Sequence, residues 1–242
     1  MRTELHARLY ELGSRLLLVA LRLPLLPSGL TRFAKIWLRH ARTARHIGAG
    51  GYDSIVDGGA SIGEFAALAR WACPGATLVC VEPHPASAAR LRQRGFSVVE
   101  AALWRTPGTA TLNQPTDAVT SNSLLATPAA AGRGAWSVTT VRLDQLGISG
   151  SRVLVKLDLQ GAEPEALEGM GELWARCSGL LLEVSYGERG TYEPLRALLA
   201  ARGFFEAATL NELEVDGVVL EADKLWLRRK ADPGRVRADG KP

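Results

Sequence analysis

From residue 52 onward the chain alternates between short, almost unbroken apolar runs and stretches of helical periodicity. The runs are SIVDG (54–58), TLVCVEP (77–83), FSVVEAAL (96–103), VLVKLDL (153–159), GLLLEVSY (179–186), FFEAATL (204–210) and DKLWLRR (223–229). Helical patterns fill 61–72, 85–94, 163–175 and 191–202. A strand that is apolar along both faces has to be covered on both, so strand-then-helix repetition predicts a parallel sheet between two helical layers. No helical pattern separates the last two runs. Asp216-Gly217 instead marks a tight turn and a returning strand. The expected fold is α/β, doubly wound and mostly parallel, closing in a C-terminal antiparallel hairpin. The Thr-, Ala-, Gly-, Pro- and Ser-rich stretch 104–141 is expected to form an elaborated loop with short strands.

Charge divides the 242 residues into three parts. Residues 1–50 carry nine Lys/Arg against two acids, and residues 228–242 carry six against two. The middle, 51–227, has 14 basic and 21 acidic residues. An acidic centre argues against a nucleic-acid groove within the fold. The basic ends read as solvated termini or as contacts to anionic lipid or RNA. Leu5, Leu9, Leu12, Leu16 and Val19 share one helical face, flanked by the pairs Glu4–Arg8 and Glu11–Arg15. The uncharged run 16–21 falls far short of the roughly 20 residues that span a bilayer. Residues 1–30 therefore read as a helix packed on the domain or lying peripherally on a membrane. A second basic helix is expected over 31–47, before the boundary GAGG (48–51). The expected organisation is a helical extension (1–50), a catalytic domain (51–229) and a disordered tail (230–242). The three cysteines, Cys73, Cys80 and Cys177, are odd in number and lack Cys-x-x-Cys spacing. They predict neither a disulfide framework nor a metal site, and fit a reducing cytoplasm.

Ligands of open parallel sheets bind outside the carboxyl ends of the strands. The first strand ends at Asp57 and runs into Gly58, Gly59 and Gly63, a loop that admits a ligand close to the backbone. Ser61 and Glu64 form a Ser-x-x-Glu helix-capping pattern. The spacing Asp-Gly-Gly-x-x-x-Gly matches neither the dinucleotide fingerprint nor the phosphate loop of nucleoside triphosphatases. A carboxylate there repels pyrophosphate and suits a cation. Glu82 ends the second strand, 25 residues after Asp57, where an acid accepts ribose hydroxyls. The two sites together describe a nucleoside with a positive, phosphate-free tail, S-adenosylmethionine. In VLVKLDL, Lys156 and Asp158 share a face of a buried strand, which is costly unless they are paired or functional. Gly161 then opens a turn, and Glu163 begins a helix.

VDGGASIGEF, VEPHP, EAALWRTPGTATL, SNSLL, VRLDQL, VLVKLDLQGAE, LLLEVSYG and LRALLAARGF occur in that order between residues 52 and 227. This series resembles the FkbM family of S-adenosylmethionine-dependent methyltransferases. The resemblance implies a class I methyltransferase (Rossmann-like) fold with a seven-stranded sheet. It also implies methyl transfer to a hydroxyl of a sugar, glycan or secondary metabolite. Asp57, Gly58, Gly59, Ser61, Gly63, Glu82, His84 and Ala102 fall on the expected cofactor side. The family commonly has Asn at the positions of Ser61 and His84, and Glu at that of Gln160.

Asp158 is the first candidate for the base or acceptor-orienting group, with Lys156 setting its charge state and Glu183 second, on the adjacent strand. His84 is the third candidate, although its position after Glu82, beside a proline turn, places it on the adenine side. Ser121, Asn122 and Ser123 are candidates for contacts to cofactor or acceptor. Two alternatives are a methyltransferase-like module without turnover and, disfavoured by the glycine spacing, a nicotinamide-dependent oxidoreductase.

Overall fold

The computed structural model describes residues 41–114, 122–125, 135–187 and 190–229. The expected helix over 1–30, residues 31–40 of the helix over 31–47, Ser121 and the tail 230–242 lie outside the described residues. The seven-stranded sheet has the order β3-β2-β1-β7-β8-β10-β9. Its strands are β1 (Ser54–Gly58), β2 (Thr77–Val81), β3 (Ser97–Val99), β7 (Val153–Leu157), β8 (Cys177–Ser185), β9 (Phe204–Val215) and β10 (Val218–Arg228). β3, β2, β1, β7 and β8 pair in parallel. β10 alone runs against its neighbours β8 and β9. The predicted hairpin is present, and its turn has positive φ at both Asp216 (+52°) and Gly217 (+79°), as an Asp-Gly turn requires.

Every residue of β1 and β7 is buried, so these strands form the centre of the sheet. Alternation sorts their side chains into two cores. Val56, Val155, Leu157, Leu180 and Leu182 face α4 (Glu163–Glu168), α5 (Leu173–Arg176) and α6 (Tyr192–Ala201), packing on Leu167, Leu173, Leu195 and Leu199. Ile55, Leu154, Leu181 and Leu225 face the other way, towards α1 (41–49) and α2 (Glu64–Ala72). Ile47 of α1 is fully buried there, a contribution of about 1.5–3 kcal/mol for a side chain of that size. A third cluster joins α2 to α3 (Pro85–Gln93) through Ala66, Leu91 and Phe96.

Three elements differ from the sequence reading. FSVVEAAL divides: β3 stays in the main sheet, while β4 (Ala102–Leu103) joins β5 (Gly108–Asn113) and β6 (Ala135–Val141) in a separate sheet ordered β4-β6-β5. The Ala101 N–H turns back onto the Val99 carbonyl at the break. The helix expected over 163–175 is broken between α4 and α5 at Gly169 to Gly171. A Cβ on Gly169 would lie 2.7 Å from the Trp104 carbonyl, so the chain turns where only glycine fits. The Ser61–Glu64 capping box does not form. α2 begins at Glu64, with left-handed Gly63 as its cap residue and no side-chain cap, because the loop makes one further turn after Ser61.

Candidate active site

The strand order reverses between β1 and β7, so a crevice opens where their carboxyl ends part. Asp57 and Lys156 are register partners across this junction. The Asp57 carboxylate has no solvent exposure and faces the Lys156 ammonium at 3.1 Å. The same ammonium donates to the carbonyls of Gly58 (3.2 Å) and Gly59 (3.1 Å) and lies 3.6 Å from Asp158 Oδ2. Burial pushes the Asp57 carboxyl up. Burial alone would pull Lys156 down, but the charges of Asp57 and Asp158 outweigh it and hold the lysine above its ordinary range. The cation that suits the acid of the glycine loop is therefore a lysine of the next strand, and Lys156 ties that loop to the sheet.

Gly59 carries φ +70°, and a Cβ on it would fall 1.9 Å from the Asp158 carbonyl oxygen. The loop passes over the end of β7 only because this position is bare. Ser61 follows at φ +48° and donates its N–H to Glu82 Oε2 at 2.7 Å. Glu82 Oε1 accepts the His84 N–H at 2.9 Å, so each oxygen spends one lone pair on the backbone. Burial raises the Glu82 carboxyl, against the pull of these two donors. His84 caps α3: its Nδ1 accepts from Ser87 N at 3.4 Å, and its ring meets Trp136 edge-on at 5.2 Å.

A cavity of about 240 Å³ opens above these groups. Gly59, Ser61, Glu82, Ala102, Lys156, Asp158 and Glu183 all line it. Asp57, Gly58, Gly63 and His84 do not line it. Gly58 packs beneath, against Leu103 and Leu157, and Gly63 packs against Leu91 of α3. On the far wall Gln160 Nε2 donates to Asp158 Oδ1 at 3.1 Å and to Glu183 Oε2 at 2.8 Å. Burial, then the nearby acids Asp158, Glu163, Glu221 and Asp223, pushes Glu183 up to about 9. Glu163 is almost fully buried and accepts from Leu159 N at 2.7 Å, closing the turn after β7; burial pushes it up to about 7. Among the described residues no group of three or more His, Cys, Asp or Glu side chains is placed to hold a metal ion.

A family model for the methyltransferase FkbM domain matches residues 57–205. The chain belongs to the FkbM methyltransferase family. Its seven-stranded sheet, parallel except for the C-terminal hairpin, has the doubly wound architecture that its motifs imply. Among solved structures it is similar to methyltransferase FkbM from Methylobacillus flagellatus KT, at 18% identity and TM-score 0.46 over 73% of this chain and 44% of that one. This chain thus spans less than half the length of that relative. It is also similar to precorrin-6y C5,15-methyltransferase from Geobacter metallireducens GS-15 (13% identity, TM-score 0.45, 78% and 89% covered). An rRNA methylase from Streptococcus thermophilus is similar at 10% identity and TM-score 0.46, with 78% and 95% covered. No curated protein matches the sequence.

Four cavity residues of this FkbM-family chain escaped the motif reading or entered it faintly. Asn211 and Asp223 come from the hairpin, with Asn211 Nδ2 donating to Asp223 Oδ2 at 2.5 Å. Asp223 is the register partner of Glu183, and its polarity among the inward positions of β10 was the available signal. Thr43 reaches the cavity from α1. Asn122 lines it with both side-chain amide atoms buried and without partners, as is the Ser61 hydroxyl. Among the described residues no helix is long and apolar enough to cross a membrane.

Proposed function

We propose that this chain transfers the methyl group of S-adenosylmethionine to a hydroxyl of a sugar, glycan or secondary metabolite. The observation that carries the reading is that one cavity joins two kinds of group. Gly59, Ser61 and Glu82 suit a nucleoside, and Asp158 and Glu183 line the same cavity as acids bridged by Gln160.

The cofactor fits the groups present. The Glu82 oxygens keep free lone pairs for a ribose diol after satisfying Ser61 N and His84 N. The orphaned Ser61 hydroxyl and Asn122 amide are buried polar groups that a polar ligand would satisfy. Bound there, S-adenosylmethionine supplies a methyl carbon already made electrophilic by its sulfonium. The chain's own task is to hold the acceptor oxygen in line and to remove its proton. Asp158 takes that proton, a contribution of about 10²–10⁴-fold for a positioned base. Lys156 acts upstream by fixing the glycine loop, so its role is placement of the cofactor side.

Titration calorimetry on the full chain tests the cofactor. S-adenosylhomocysteine is expected to bind and NAD to give no heat, and the reverse pattern would overturn the reading. Tritiated S-adenosylmethionine incubated with a host-cell extract tests the acceptor. Label in an alkali-stable methyl ether is the expected product, whereas label on nitrogen or on RNA would refute hydroxyl transfer to a metabolite.

A further inference from the structure

We propose that Gln160 is a positioning residue that holds the Asp158 and Glu183 carboxyls side by side through the two N–H groups of one amide. The proposal rests on the reading of this crevice as the methyl-transfer site and names how its acidic wall is kept in order. Two carboxyls on adjacent strands repel each other unless a donor lies between them, and a carboxamide nitrogen can serve both at once. Gln160 Nε2 does so at 3.1 and 2.8 Å.

The backbone is shaped for this task. Gln160 has φ +55°, one of three non-glycine residues with positive φ among the described residues. The other two are Ser61, across the same cavity, and Asp216 in the hairpin turn. A left-handed non-glycine residue is strained and persists only where its surroundings impose it. Here the imposition is visible. The Gln160 carbonyl accepts the hydroxyl of buried Ser123 at 3.0 Å, and that hydroxyl accepts Leu125 N at 3.1 Å. Ser123 is in turn paired to Asn113 through both backbone bonds. The second sheet thus clamps Gln160, and Gln160 aims the acids.

The titratable groups acting on Glu183 are Asp158 just beyond β7, Glu163 of α4, and Glu221 and Asp223 of β10. All four are acids, so the amide donor opposes a strong tendency of Glu183 to retain its proton. Deleting that donor must strengthen the tendency, whereas a side chain that merely fills space would leave it unchanged.

Side-chain carboxyl titration by ¹³C NMR on the full chain tests this without any acceptor. Gln160→Met keeps the length and removes the donor. The Glu183 midpoint is expected to move up by about one pH unit, because a hydrogen bond to the ionised form is lost. Affinity for S-adenosylhomocysteine is expected to stay within about twofold. An unchanged Glu183 midpoint in folded Gln160→Met overturns the proposal. If that variant does not fold, Gln160→Leu takes its place: an upward shift supports the proposal and an unchanged midpoint overturns it. Failure of wild-type chain to bind S-adenosylhomocysteine would sink the functional reading while leaving the titration result to stand by itself.

Discussion

Replacing Lys156 by methionine keeps the aliphatic stem and removes the charge on which the crevice is organised. The ammonium satisfies the Gly58 and Gly59 carbonyls and neutralises Asp57, whose carboxylate has no exposure at all. Removing one partner of a buried ion pair typically costs about 3–5 kcal/mol, because the other charge is left without water or counter-charge. For a domain of this size each kcal/mol lowers Tm by about 2–4 °C, so Lys156→Met is expected to melt about 6–20 °C lower. Asp57→Asn should cost less, since Lys156 keeps Asp158 and two carbonyls as partners. Asp57→Asn/Lys156→Met should recover much of the loss, because neither buried charge then remains. Urea denaturation of the three variants measures all of this. Lys156→Met within about 1 kcal/mol of wild type, or a double variant no more stable than Lys156→Met, would refute the reasoning.

Three further outcomes are expected. The folded chain holds a proton on Glu183 up to about pH 9, whereas the ordinary value for a glutamate is 4.5. This contribution to stability is fully present below pH 4.5 and is lost as pH rises to about 9; Glu163, pushed up to about 7, acts in the same direction. Denaturation at pH 5, 7 and 9 should show stability falling, with a flatter profile between 7 and 9 for Glu183→Gln; a rise over that window would contradict the assignment. His84→Ala removes the cap on Ser87 N and is expected to cost about 1 kcal/mol of stability without altering S-adenosylhomocysteine affinity. Glu82→Ala removes charged acceptors worth about 1.5–3 kcal/mol each and should weaken that affinity by roughly 10–100-fold in calorimetry.

Much of the architecture is legible because parallel strands have to be apolar on both faces, and β1 and β7 show this at every position. The hairpin is legible because Asp216-Gly217 has few alternative uses. The errors fall where local pattern competes with a distant contact. FSVVEAAL is apolar throughout, and nothing within it signals that β4 joins a strand that begins at Ala135. The helix after Glu163 breaks where Gly171 turns to φ +43°, and Gly169 before it packs on the Trp104 carbonyl, some sixty residues earlier in the chain. In the site, motif spacing identified Glu82 and Asp158 as acids at strand ends. It could not separate Asp57 from them, since burial depth is a property of the assembled sheet. Asn211 and Thr43 carry no motif and reach the cavity only through the fold.

The acids and the lysine of the switch point sit on one face of the sheet, yet depth gives them different chemistry. Side-chain exposure rises from 0% at Asp57 to 11% at Lys156 and 36% at Asp158, along about two residues of strand. At the bottom, charges answer each other and hold the loop, and proton exchange with a substrate is sterically closed. At the top, Asp158 is linked to Glu183 through Gln160 and opens to the cavity. A group that must receive a proton from an acceptor has to lie at the exposed end of this gradient. The pH dependence of turnover is therefore expected to follow the Asp158–Glu183 pair, while substitutions at Asp57 act through stability and cofactor placement. If Asp57→Asn shifted the pH profile of turnover while leaving stability and S-adenosylhomocysteine affinity intact, this ordering by depth would be wrong.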